Sequence, residues 1–278
     1  MIFLVVGADH VDAGKTTFST GLVQRTGGIA FKPRAGNDYW FDHDDCLDAL
    51  VDGRLYGKDA AKLSRAEDAD RPPEALNPVH RLWQPDPDGS TGILGRTDRE
   101  FVVDRVNRPD DDEPLFVRNG TADIPDTVAE ALPLSDSPTV ESVEELNELM
   151  QGTYTSAFET LASEIASAEL AVVESYGDIA RPLEALGEDL VSAVAVVEPG
   201  QARIYRGSRF CRACTVASSS PGEGTLEKRV PDVIGSIDPV ARVPLSPLPK
   251  KQRQDPTAIA MAYEPAYNAL LEAAEDRS

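Results

Sequence analysis

The chain opens on Met1-Ile2-Phe3-Leu4-Val5-Val6, an apolar run that passes directly into Gly7-Ala8-Asp9-His10-Val11-Asp12-Ala13-Gly14-Lys15-Thr16-Thr17. A continuous apolar run of this length suits a strand buried on both faces of a parallel sheet. A helical pattern follows from Thr17 to Arg25, with Phe18, Leu22 and Val23 on one side. Strand, glycine-bounded loop, Lys-Thr and helix, in that order, read as a phosphate-binding loop and commit the start of the chain to an α/β sheet. Backbone N–H groups over Asp12, Ala13, Gly14, Lys15, Thr16 and Thr17 would cradle phosphates at the helix N-terminus, where the helix dipole favours anions. Lys15 would reach the β- and γ-phosphates and the Thr16 hydroxyl would ligate Mg²⁺. The pattern G-x4-G-K-[ST] is broken in one place: its first glycine falls at Asp9, and the nearest glycine is Gly7.

Further along, strands and helical segments alternate. Gly28 to Pro33 reads as a short strand ending at proline, and a polar, aromatic and acidic loop follows from Arg34 to Asp45. Asp59 to Arg65 reads as helix, and residues 68–90 as an Asp- and Pro-rich stretch. Over 91–118 the period changes to two, in Ile93–Arg96, Glu100–Val106 and Leu115–Arg118, which predicts a small antiparallel meander inserted in the α/β body. Val140, Val143, Leu146, Met150, Tyr154, Phe158, Leu161 and Ile165 recur at helical spacing, with Gly152 placed to kink or split the helix. Leu170–Glu174 and Val191–Val197 read as buried strands. A helix is expected from Gly200 to about Phe210, short strands at Cys214–Ala217 and Ala241–Leu245, and a closing helix over Thr257 to Ala274. The expected architecture is α/β, a mostly parallel sheet flanked by helices with a small antiparallel β insertion, over residues 1–278 as a single domain.

Charge narrows the function classes. There are 48 acidic residues against 27 basic ones, a net charge of −21, and only 7 of the basic residues are lysine. Acid spread over the whole chain, with Arg preferred to Lys, reads as adaptation to high salt. At molar salt the Debye length falls to about 3 Å and screens the self-repulsion. No basic run is present to grip nucleic-acid phosphates, so nucleic acid is not an expected partner. No apolar stretch approaches the roughly 20 residues that span a bilayer, and the N-terminal run is too short for a signal peptide, so a cytoplasmic protein with no membrane partner is expected. Cys46, Cys211 and Cys214 do not make a disulfide framework. The Cys211-x-x-Cys214 spacing has no second pair, so a small buried pair of thiols is favoured over zinc.

Ligands of open α/β sheets sit beyond the carboxyl ends of the strands. That rule selects Gly7–Thr17, Lys32–Asp45 and Glu174–Asp178. Glu174 follows four apolar residues, as the acid of a metal-binding strand end does, and pairs sensibly with Thr16 around Mg²⁺. Lys32 is either a site residue near the phosphates or a solvated lysine at a strand end. Asp12 either holds metal or a catalytic water, or stabilises the loop as an Asx turn.

These landmarks, in this order, resemble dethiobiotin synthetase and its relatives among the P-loop NTPases, including the MinD and cobyrinate amidase groups. The likeness rests on Ala8–Thr16, on Phe31-Lys32-Pro33 with Ala35-Gly36, on Asp59-Ala60-Ala61-Lys62-Leu63, on Asn77-Pro78 with Pro85, on Val172–Gly177 and on Pro244–Pro249. It implies a P-loop NTPase fold, ATP and Mg²⁺ as cofactors, metal ligands at Thr16, Asp59 and Glu174, and Lys32 near a substrate carboxylate or carbamate. Lys15, Lys32 and Asp12 are then the catalytic candidates, and a homodimer is commonly implied. Ser175-Tyr176 replaces the small Gly-Ala of that family, which leaves the acceptor open: a carboxylate-like small molecule, or water. The loop Asp9–Thr17 is also similar to that of translational GTPases, but no Asn-Lys-x-Asp follows, which favours ATP. The alternative expectation is a regulatory nucleotide switch that acts through a protein partner.

Overall fold

A computed structural model describes residues 1–8, 14–86, 92–96, 98–109, 111–217 and 228–275. In chain order the strands are β1 (Ile2–Gly7), β2 (Ile29–Phe31), β3 (Arg34–Asp38), β4 (Val79–Pro85), β5 (Arg99–Val106), β6 (Leu115–Asn119), β7 (Thr139–Val140), β8 (Ala171–Glu174), β9 (Val191–Glu198), β10 (Gln201–Arg206) and β11 (Ala241–Pro244). Internal packing divides the chain into two compact units. One comprises Met1–Pro33, Lys62–Arg71 and Ala162–Ser278; the other comprises Arg34–Ala61 and Pro72–Leu161. Each has its own sheet, and the class is α/β with mixed sheets.

In the first unit the strand order is β11-β10-β9-β1-β8-β2. The expected mostly parallel sheet is corrected here to a mixed one. β2, β8, β1 and β9 pair in parallel, and β10 and β11 add antiparallel pairings at one edge. The cause is the Pro199-Gly200 dipeptide, whose Gly200 takes φ 86° and folds β9 into a hairpin with β10. That turn displaces the helix expected from Gly200. It begins instead at Gly207 and runs to Val216, absorbing the strand expected at 214–217.

β1 lies at the centre, every residue buried, which is what its unbroken apolar run requires. The helix that follows, α1 (Lys15–Thr26), packs against the helix Pro256–Ala262 and against Tyr267, whose hydroxyl donates to the Phe18 carbonyl at 3.0 Å. Gly21 makes this approach possible, because a Cβ there would meet the Tyr267 hydroxyl and the Ile259 side chain inside van der Waals contact. The closing helix is broken in two, Pro256–Ala262 and Glu264–Glu275, since Pro265 cannot continue the first helix.

The second unit holds β3-β4-β5-β6-β7. β4, β5 and β6 form the antiparallel meander, with β3 and β7 added in parallel at the edges. The meander expected over 91–118 is thus the centre of a larger sheet, and its first strand differs. Residues 92–95 form a turn, and the strand is Val79–Pro85, hidden in sequence between Pro78 and Pro85. The polar stretch after Pro33 likewise contains β3 and then α2 (His43–Leu50) in place of a continuous loop. Cys46, Leu50, Leu82, Val102 and Phe116 form one apolar cluster; Val79, Phe101, Val106, Val117 and Tyr154 form another. With apolar packing on both faces, β5 is buried from Phe101 to Val106, charged Asp104 and Arg105 included.

Those two buried charges are compensated. Asp104 accepts two hydrogen bonds of 2.6 Å from Arg81 and a third, also 2.6 Å, from the Tyr154 hydroxyl. Arg105 donates to the carbonyls of Leu55 and Asn77 at 2.7 and 2.5 Å, and burial lowers its pKa to about 10. Tyr154 ends a π-helical turn, Met150–Tyr154, which contains Gly152 where a kink was expected. No helix among the described residues is long and apolar enough to cross a membrane.

Candidate functional site

The candidate site is in the first unit, at the carboxyl ends of its parallel strands. From β1 the chain leaves toward β2, and from the neighbouring β9 it leaves toward β10 on the opposite side. Adjacent strands with diverging connections open a crevice at their carboxyl ends.

Gly14 begins α1 with φ 87° and ψ 10°, a left-handed conformation that costs an L side chain roughly 1–2 kcal/mol. Among the described residues no side chain caps this end of the helix. Lys15 and Thr16 follow at once, both partly exposed, and Thr17 completes the turn. Lys15 Nζ donates to the Gly177 carbonyl at 2.8 Å, so the lysine lies over the loop that follows β8.

Glu174 is the last residue of β8 and is fully buried. The parallel register sets Val5 of β1 opposite Glu174, and Phe31 of β2 opposite Val173. Lys32, one residue past the end of β2, therefore comes level with Glu174. Its Nζ lies 2.5 Å from Glu174 Oε1, with the lysine side chain 5% exposed and the glutamate 0%. The same oxygen accepts the Thr16 hydroxyl at 2.8 Å. Glu174 Oε2, buried as well, has no hydrogen-bond partner among the described residues. A buried carboxylate oxygen without a donor is costly.

Four of the residues singled out in the sequence, Lys15, Thr16, Lys32 and Glu174, are thus assembled within one unit, with Gly14 and Thr17 framing the helix start. Asp12 and Ala13 lie outside the described residues. Asp59 stands in the first turn of α3 (Lys58–Ala66), among the residues of the other unit. Two features escaped the sequence: the Lys32–Glu174 ion pair and the part played by the Gly177 carbonyl. The pair was legible only to a reader who knew that β2 and β8 are neighbours, because 142 residues separate the partners.

The donor set suits magnesium. Mg²⁺ takes one or two protein oxygens and completes its shell with water and phosphate, and Thr16 Oγ1 with Glu174 offers that number. Among the described residues no group of three or more His, Cys, Asp or Glu side chains is arranged to hold a metal unaided. The cysteines do not enter the site. Cys46, Cys211 and Cys214 are free and buried, and burial raises their pKa to about 11, about 11 and about 12. No protein-family model matches this chain, and no curated protein matches it at a significant level.

Proposed function

We propose that the chain is a Mg²⁺-dependent P-loop NTPase that binds ATP at the N-terminus of α1 and transfers or hydrolyses its γ-phosphoryl group. The observation that carries the proposal is the Thr16–Glu174–Lys32 cluster beside the helix end that begins at left-handed Gly14. A phosphate chain would suit that helix end because first-turn N–H groups and the helix dipole favour anions, with Lys15 adding a positive charge. Lys15 would exchange the neutral Gly177 carbonyl for phosphate oxygens, a charge-assisted and stronger bond. Thr16 Oγ1 and the bare Oε2 of Glu174 would hold Mg²⁺, which when bound neutralises the charge that builds up in phosphoryl transfer. Asp59, a ligand only by resemblance to dethiobiotin synthetase, carries no part of this reading.

Lys32 offers the second cationic group. Held against Glu174 Oε1, the Lys32 ammonium would face an anionic acceptor, and a carboxylate is the class that the resemblance suggests. Without an acceptor, water takes its place. The steady release of ADP in molar KCl tests the proposal. Turnover is expected in the native protein, a fall of at least about 100-fold in Lys15→Ala, and stimulation by a small dicarboxylate or diamino acid. Undiminished turnover in Lys15→Ala removes the proposal.

A further inference from the structure

The second unit gathers three cations on one tryptophan. Trp83 of β4 lies beneath three guanidiniums: Arg99 at 4.5 Å from the ring centroid, Arg81 at 5.4 Å and Arg96 at 5.5 Å. Arg81 is accounted for by Asp104. Among the described residues Arg96, exposed just after the turn at 92–95, forms no ion pair. Arg99 has one among those residues, at 3.9 Å to the side chain of the exposed neighbouring Asp98, and the charge of Asp38 also acts on it. Arg99 Nε is buried and has no hydrogen-bond partner. Burial, and then the like charge of Arg96, hold the Arg99 guanidinium below its usual range.

Gly36 of β3 is exposed and lies opposite Arg81 in the ladder, and a Cβ there would come within 3.0 Å of Trp83 Nε1. With no side chain at Gly36 the strand backbone approaches the indole edge closely, and the Trp83 N–H makes no hydrogen bond among the described residues. In a chain of net charge −21 acidic partners are abundant, yet among the described residues none pairs with Arg96. Two like charges held together on an aromatic face with unsatisfied donors are stabilised by an external anion.

We infer that Trp83, Arg96 and Arg99 form a binding site for a small polyanion bearing carboxylate or phosphate groups, separate from the nucleotide site and independent of it. Guanidiniums bind either oxyanion in bidentate fashion, and the indole N–H adds a third donor. The site belongs wholly to the second unit, so it stands or falls without reference to the P-loop.

Trp83 is itself the reporter once Trp40, the other tryptophan, is replaced by phenylalanine. Trp40→Phe protein is titrated with inorganic phosphate, pyrophosphate and succinate at constant ionic strength while tryptophan emission is followed. A saturable change is expected for at least one of them, and the probe that saturates at lowest concentration identifies the group as phosphate or carboxylate. Arg96→Gln and Arg99→Gln are each expected to raise the half-saturation at least about tenfold, with Arg99→Lys in between. Heats of ATP binding are expected to stay unchanged in all three variants. Arg96 is exposed, so its variant remains informative even if Arg99→Gln does not fold. A linear response to every probe, or equal half-saturation in Arg96→Gln and the Trp40→Phe parent, overturns the inference.

Discussion

Glu174 and Lys32 show how much a single buried pair constrains. Both side chains are buried, and they form an ion pair at 2.5 Å. Removing one partner of such a pair costs about 3–5 kcal/mol, because the charge left behind is buried alone, whereas replacing both by apolar groups is often neutral. Urea denaturation of Lys32→Met and Glu174→Gln is therefore expected to show losses of that size for Lys32→Met and smaller ones for Glu174→Gln, which keeps a polar acceptor. Lys32→Met combined with Glu174→Leu is expected to recover most of the stability. If the single Lys32→Met change is neutral, the pair is not a structural ion pair. The thiols give a second prediction at this scale. Burial is the leading cause of all three raised pKa values, so Cys46, Cys211 and Cys214 are neutral at pH 8, and the nucleophilic thiolate is scarce until the pH nears about 11. A thiol-exchange reagent is expected to label native protein at pH 8 much more slowly than protein in urea. Rapid labelling of the native form contradicts this.

Secondary elements divide into those the sequence announces and those that only tertiary packing decides. β1, α1, β8 and β9 were legible, because buried parallel strands must be continuously apolar and α1 starts at a glycine and ends at Gly27. β4 was not, since Pro78 and Pro85 bracket it and its Arg81 and His80 look solvated until Asp104 and the two apolar clusters are in place. Gln201–Arg206 read as helix because nothing local says that Ala202 and Ile204 face the first unit's core. In the candidate site the loop, Lys15, Thr16 and Glu174 were each visible at a strand end, while the Lys32–Glu174 contact depends on sheet order and could not be read from spacing. The packing of α1 supplies the prediction for this scale. A methyl at Gly21 overlaps Tyr267 and Ile259, so Gly21→Ala is expected to cost about 1–3 kcal/mol and lower the melting temperature by several degrees. An unchanged melting temperature means that α1 and the helix Pro256–Ala262 are not in the contact described.

Across the whole molecule the surplus of acid is the dominant physical fact. Forty-eight acidic residues against 27 basic ones repel one another in dilute salt, and screening relieves them as the Debye length falls from about 10 Å at 0.1 M to about 3 Å at 1 M. Thermal unfolding followed by circular dichroism is expected to shift upward as KCl rises over that range, and a melting temperature indifferent to salt contradicts the reading of the charge. The same surplus makes the cationic groups conspicuous: Lys15 on the Gly177 carbonyl and Lys32 on Glu174 in one unit, Arg96 and Arg99 on Trp83 in the other. The first gathering carries the central claim, that α1 begins a Mg²⁺-dependent ATP site. Calorimetric titration of ATP with Mg²⁺ in molar KCl, on native protein and on Lys15→Ala, tests it most directly. One saturable site, weakened when Mg²⁺ is withheld or GTP is substituted and lost in Lys15→Ala, is the predicted result. Absence of any nucleotide heat from folded native protein, or equal heats from Lys15→Ala, would contradict it.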